Sequence, residues 1–102
     1  MPKQFLQITF KFADGRPKTA KLKPVFDHAL DWFKYASNCW IVWTSASAEK
    51  WYARLRPHIT DDDSLFIVRI DPEERQGWMS KTFWDWLNEH GEEAQEDPEH
   101  TG

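Results

Sequence analysis

Leu6, Ile8, Phe10 and Phe12 alternate with Gln7, Thr9 and Lys11, which is the period-two pattern of a strand with one buried and one polar face. Asp14-Gly15 and Pro17 mark the turn that follows, and residues 14–23 read as a long, polar, Lys-rich loop. Pro24 suits a first helical turn, and Phe26, Ala29, Leu30 and Phe33 then recur at helical spacing, so a short helix is expected over residues 24–31. Residues 32–35 and 39–43 are rich in aromatic and β-branched side chains around Ser37-Asn38, which predicts a hairpin. Ser45 or Ser47 can cap a second helix, with Glu49 in its positive first turn and Ala48, Tyr52, Leu55 and Ile59 as its apolar stripe. Pro57, lacking a backbone N–H, should end that helix or tighten its last turn.

Residues 61–63 are three aspartates in a loop before a mostly apolar strand, 65–70, covered on at least one side. After a turn over residues 71–76, Ser80 can cap a C-terminal helix over residues 81–89, with Phe83, Trp86 and Leu87 on its apolar side and Gly91 beyond its end. The order strand, helix, strand, strand, helix, strand is that of the ferredoxin-like split βαβ arrangement. The expected fold is therefore α+β, a ferredoxin-like βαββαβ domain over residues 1–91 with an added short C-terminal helix. Residues 92–102 hold five acids and no large apolar side chain, the composition of a disordered tail.

Composition adjusts this picture in three ways. Seven Trp, seven Phe and two Tyr in 102 residues make the core aromatic, each ring able to bury roughly 150–250 Å². A single cysteine, Cys39, excludes an internal disulfide framework and a multi-cysteine zinc site, and with no signal-peptide pattern or membrane-length apolar run it points to a cytoplasmic protein with no membrane role. The net charge of −4 comes from the acidic C-terminus, because residues 1–91 carry 13 basic and 12 acidic groups. Within that balance, Lys3, Lys11, Arg16, Lys18, Lys21 and Lys23 face only Asp14 in residues 1–23, a basic strip whose simplest reading is a solvated edge.

Catalytic chemistry finds no constellation. Asp61, Asp62 and Asp63 near His58 are adjacent in sequence and point in different directions, so they read as turn formers and solvated charges rather than metal ligands. Cys39 has no His with a supporting acid and reads as a small buried hydrophobe, while His28, His90 and His100 are scattered, with a surface role as the default. The four glycines are isolated, which excludes a glycine-rich phosphate loop. No catalytic, cofactor-binding or metal-binding residue is assigned, and no cofactor is expected. The tryptophans remain: Trp40 and Trp43 fall on opposite strand faces, and Trp84 and Trp86 on different helix faces, so some must cover a second surface. Trp43, Trp51, Trp78 and Trp84, with Lys11, Lys21 and Lys23, form the expected interaction surface.

The stretch DWFKYASNCWIVWTSASAEKWYARLRPHI, followed by DDDSLFIVRI, resembles the SinR-like relatives of the small nuclease subunit of CRISPR adaptation. That family has a ferredoxin-like protomer that commonly dimerises, and the resemblance covers residues 5–70. In its nuclease members a Tyr-Asp pair near the end of the first strand supplies a metal-binding carboxylate at the dimer interface. Here the comparable stretch is ITFKF, with Lys11 about where the Asp would stand. An ammonium group repels Mg²⁺ and cannot ligate it, so the resemblance implies the fold and a homodimer but not the cleavage. The sequence thus favours a non-catalytic interaction module that binds an unidentified protein partner or itself. The alternatives are a degenerate nucleic-acid-binding relative of that family and, less favoured, a metal-dependent nuclease.

Overall fold

A computed structural model describes residues 2–96, the side chains as far as Glu92. It contains four strands, β1 (Gln4–Lys11), β2 (Asp31–Ala36), β3 (Cys39–Thr44) and β4 (Ser64–Ile70), and three helices, α1 (Thr19–Phe26), α2 (Ala48–Leu55) and α3 (Lys81–Glu96). The strands form one antiparallel sheet in the order β2-β3-β1-β4. The chain is an α+β protein with the ferredoxin-like βαββαβ order and an extra C-terminal helix, as the alternation of its residues predicts.

Strand alternation divides the core into two layers. On one face Leu6, Ile8 and Phe10 of β1, with Trp40 and Val42 of β3, pack against Leu22, Val25 and Phe26 of α1 and Trp51 and Leu55 of α2. Trp40 lies flat on Phe26 at 4.5 Å between ring centroids, and Phe10 meets Trp40 edge-on at 5.5 Å. On the other face Phe5, Ile41 and Trp43 are buried beneath Phe83 and Leu87 of α3. The face of β1 expected to be polar is therefore sealed at one end.

Local boundaries depart from the sequence expectation where packing outweighs propensity. Helix α1 begins five residues before Pro24 and carries that proline inside its last turn. Leu22, Val25 and Phe26 supply an i, i+3, i+4 stripe, and its burial offsets the single missing hydrogen bond. Leu30, expected on the buried face, is exposed, and Phe33 belongs to β2 and points to the α3 side. In α2, Ser47 is the cap, accepting from the Lys50 N–H at 3.1 Å. Its buried positions are Trp51 and Leu55, whereas Tyr52 faces outward. Pro57 tightens the end of α2 into a 3₁₀ turn, Arg56–His58, as expected.

The hairpin turn at Ser37-Asn38 is as expected, with a bulge at Tyr35 where the register between β2 and β3 shifts. The Asp14-Gly15 turn also holds: Gly15 has φ of 71° and its N–H donates to the Phe12 carbonyl at 2.9 Å. Ser80 accepts from the Phe83 N–H at 3.2 Å, as a cap for α3 should. That helix does not stop at Gly91 but continues through Glu96. Glycine inside a helix costs about 1 kcal/mol relative to alanine. The packing of Phe83, Leu87 and His90 on the sheet outweighs that cost, so the helix replaces the first part of the expected tail. Residues 97–102, the rest of that expected tail, lie outside the described residues.

Candidate interaction surface

On the α3 side of the sheet the register sets side chains in cross-strand rows. Asp31, Trp43, Phe5 and Ile70 form one row; Phe33, Ile41, Gln7 and Val68 form the next; Cys39, Thr9 and Phe66 the third; and Lys11 lies opposite Ser64 at the far end. Helix α3 covers the β2 and β3 part, where Phe83 meets Phe33 edge-on at 5.3 Å and Trp86 meets Phe33 at 5.7 Å. The β1 and β4 part of the last three rows stays open. Phe66 is 65% exposed and Val68 37%, flanked by Gln7, Thr9 and the exposed Lys11. Two large apolar side chains next to each other on one strand face are a contiguous patch rather than scattered exposure.

A polar clasp fixes where the covered part ends. Asp31 Oδ2 accepts from Trp86 Nε1–H at 2.8 Å and lies 2.9 Å from His90 Nε2, while Asp31 Oδ1 accepts from the Trp32 N–H at 2.8 Å. Burial pushes the pKa of this carboxyl up, but the hydrogen bonds from His90, Trp86 and the Trp32 backbone outweigh it and leave the pKa below the ordinary Asp value. His90 is buried and stacks on Trp43 at 5.3 Å, so the surface role expected for it does not hold. The contacts of Asp31 with Trp86 and His90 join β2 to two successive turns of α3. The pair docks a helix.

Asp63 is a second correction, since its side chain is only 3% exposed rather than solvated. It accepts from the Thr60 N–H and the Ala13 N–H, each at 2.9 Å, and pairs with Lys18 Nζ at 3.1 Å. Those donors hold its carboxyl well below the usual carboxylate range, the two backbone N–H groups acting most strongly. A carboxyl whose folded pKa is depressed adds stability above its unfolded value of about 4, and that contribution fades as pH falls towards the folded value. Asp63→Asn is therefore expected to be less stable than the parent at pH 7, with the difference shrinking steadily below pH 4 in chemical melts. A difference that is constant from pH 7 to pH 2 would contradict this assignment.

The residues expected on the interaction surface do not converge. Trp43 and Trp51 are buried in the two separate cores and offer no surface in the protomer. Lys21 and Lys23 are exposed on α1, on the opposite side of the sheet from Lys11, and Lys23 pairs with Asp27 at 3.3 Å. Trp84 is half-buried between Phe83, at 5.3 Å, and the Arg75 guanidinium, at 5.5 Å. Trp78, in the segment before α3, is 99% exposed. Cys39 is partly buried in the open rows beside Thr9. The basic strip is thus divided between two faces, and the patch at Phe66 and Val68 was not anticipated. The alternation within residues 65–70 carries its signal, because covering Leu65 and Ile67 from the α2 side leaves Phe66 and Val68 pointing away.

A cleft of about 630 Å³ lies where the first residues of β1, the end of β4 and the second half of α3 meet. Lys3, Arg69 and Arg75 line it together with Asp71, Glu73 and Glu92, so its charges are mixed, and the rings of Phe5 and Trp43 at its floor are buried. Among the described residues no group of three or more His, Cys, Asp or Glu is placed to hold a metal ion. No described helix is long and apolar enough to cross a membrane. No family model, no curated protein and no solved structure matches this chain, so its function has to be argued from the open part of its own sheet.

Proposed function

We propose that the protein is a non-catalytic interaction module that makes protein–protein contacts, with a partner or with itself, through the open β1–β4 part of its sheet. The observation that carries this reading is the exposure of Phe66 and Val68 on a strand face otherwise sealed by α3. Exposed aromatic and β-branched side chains in a flat array supply the apolar centre of an interface, and Gln7, Thr9 and Lys11 supply a polar rim. A photo-crosslinking residue in place of Phe66 should give protein adducts in cells, whereas the same residue at Glu49, exposed on α2, should give none. Equal yields at the two positions would overturn the assignment of this surface.

A second reading, a degenerate nucleic-acid-binding relative of the CRISPR-adaptation subunit family, draws support from Lys11 standing one row beyond Phe66, where an unpaired base could stack while a phosphate meets the ammonium group. It predicts binding of single-stranded nucleic acid that weakens steeply with salt and falls on Lys11→Gln. Lys11 also argues against metal-dependent cleavage, since that position offers a cation where a carboxylate would be needed. The interaction-module reading predicts no salt-dependent binding to analyse.

A further inference from the structure

We propose that the cleft between the second half of α3 and the end of β4 is a binding site for a short zwitterionic peptide with a large apolar side chain, a dipeptide being the simplest occupant. The site is separate from the open β1–β4 surface and does not depend on the reading given to that surface.

Gly91 carries the first part of the argument. It sits inside α3, where glycine is less favourable than alanine, and it lines the cleft. Neither common structural reason for a glycine applies to it. Its backbone has no positive φ, and a Cβ built on it would meet no atom of the surrounding protein within 4 Å. A side chain is therefore missing from the cleft wall at a place where the fold has room for one and the helix would gain from one. A position that gives up helix stability without a packing return is expected where a ligand lies close to the backbone. The floor beneath is apolar, with Ile70 beside the rings of Phe5 and Trp43.

The charges at this opening have both signs and are not spent on each other. Arg75 enters from the segment after β4, where its guanidinium lies across Trp84 at 5.5 Å and donates to Asn88 Oδ1 on α3. A neutral amide positions that guanidinium without cancelling its charge, and Arg75 forms no ion pair among the described residues. Glu92, one turn beyond Asn88 on the same helix, is exposed and likewise forms no ion pair among them. Helical positions four apart have their Cβ atoms about 5–6 Å apart. An extended chain advances about 3.3–3.6 Å per residue, so a dipeptide sets its ammonium and carboxylate groups at about that spacing. The carboxylate then meets the Arg75 fork, whose geometry matches two oxygens, and the ammonium meets Glu92. An apolar side chain of the peptide fills the space that Gly91 leaves open above Phe5, Trp43 and Ile70. Lys3, Arg69 and Arg75 balance Asp71, Glu73 and Glu92 around the cleft, so its lining favours a ligand with both charges over a plain anion or cation. Its volume of about 630 Å³ falls within the range of about 300–1,000 Å³ usual for small-molecule sites.

A set of dipeptides with one or two large apolar side chains, leucyl-phenylalanine among them, can be titrated into the full chain and followed by amide and indole chemical shifts. At least one should bind with Kd below about 1 mM and shift the Gly91 amide and the Trp43 indole, and its N-acetyl and C-terminal amide forms should each bind about tenfold more weakly or worse. Arg75→Gln should weaken the zwitterion to the level of its amide form while leaving the amide form's own affinity unchanged, which a merely structural role for Arg75 would not produce. Gly91→Leu should melt no lower than the parent, because the helix gains a better former, yet lose binding because its side chain fills the cleft. Phe66→Lys should bind as the parent does. No shift from any member of the set at about 10 mM, equal binding of the free and capped forms, or undiminished binding by Gly91→Leu overturns the proposal. Loss of binding in Phe66→Lys moves the peptide to the open strand face and overturns it as well.

Discussion

Replacing Trp51 with alanine is expected to destabilise the protein by about 3–5 kcal/mol, the range for deleting a buried ring. Trp51 has no exposed surface, stacks near Phe26 at 5.9 Å between centroids, and donates its Nε1–H to Thr44 Oγ1 at 3.0 Å. The Arg54 guanidinium lies over its other side at 5.1 Å. Truncation would leave a cavity between α2 and the sheet and strand the Thr44 hydroxyl without that donor. Since domains of this size are stable by only about 5–15 kcal/mol, the loss would be a large fraction of the total. Trp78→Ala is the contrasting control, because Trp78 buries almost nothing and its removal should stay within about 0.5 kcal/mol. Guanidinium melts of the two variants measure both effects. Equal midpoints would mean that Trp51 does not occupy the core.

These two tryptophans also show what sequence patterning does and does not resolve. Position 51 lies between Ala48 and Leu55 at helical spacing, so it shares their face, yet a stripe drawn through Tyr52 is nearly as regular. Sheet contacts made by residues distant in sequence decide between them: Phe26 and Thr44 together provide a ring to stack on and an oxygen to receive the indole N–H. The strands were legible because alternation is local, and the second helix because Ser47 and Pro57 mark its ends. Helix α1 starts earlier than its sequence suggests, because Pro24 has the character of a first helical residue while the true start at Thr19 has no side-chain cap to announce it. The extension of α3 through Gly91 was illegible for a similar reason: glycine signals a stop only where the backbone takes positive φ, and among described glycines only Gly15 does.

The candidate surface was less legible than the fold. Tryptophan is the residue type most enriched at interfaces, and that prior drew Trp43 and Trp51 into the expected surface. A third helix returning across half of the sheet changes the outcome, since it buries Trp43 and leaves Phe66, on the edge strand, exposed on the same sheet face. Nothing within residues 65–70 tells how far α3 reaches. The polar clasp was hidden for the same reason, because Asp31 and His90 are 59 residues apart and meet only when α3 docks.

That docking predicts the second large effect, at Phe83. Phe83→Ala is expected to cost about 3–5 kcal/mol, because the ring is buried against Phe33 at 5.3 Å and Tyr35 at 6.1 Å, at the point where α3 first meets the sheet. The loss should not be confined to one cavity. Phe5, Ile41 and Trp43 depend on α3 for cover, so loosening its first turns would let water reach a second core made of rings. The variant should therefore lose amide-exchange protection in α3 and at the Trp43 N–H before it loses protection at Trp51, which lies in the helix layer on the opposite face. Trp84→Ala provides the comparison, because that ring is less buried than Phe83 and its smaller loss should leave α3 docked. Hydrogen exchange on the parent and both variants reads the order directly. If protection on the two faces falls together in Phe83→Ala, the two cores unfold as one unit and α3 is not a separable cover.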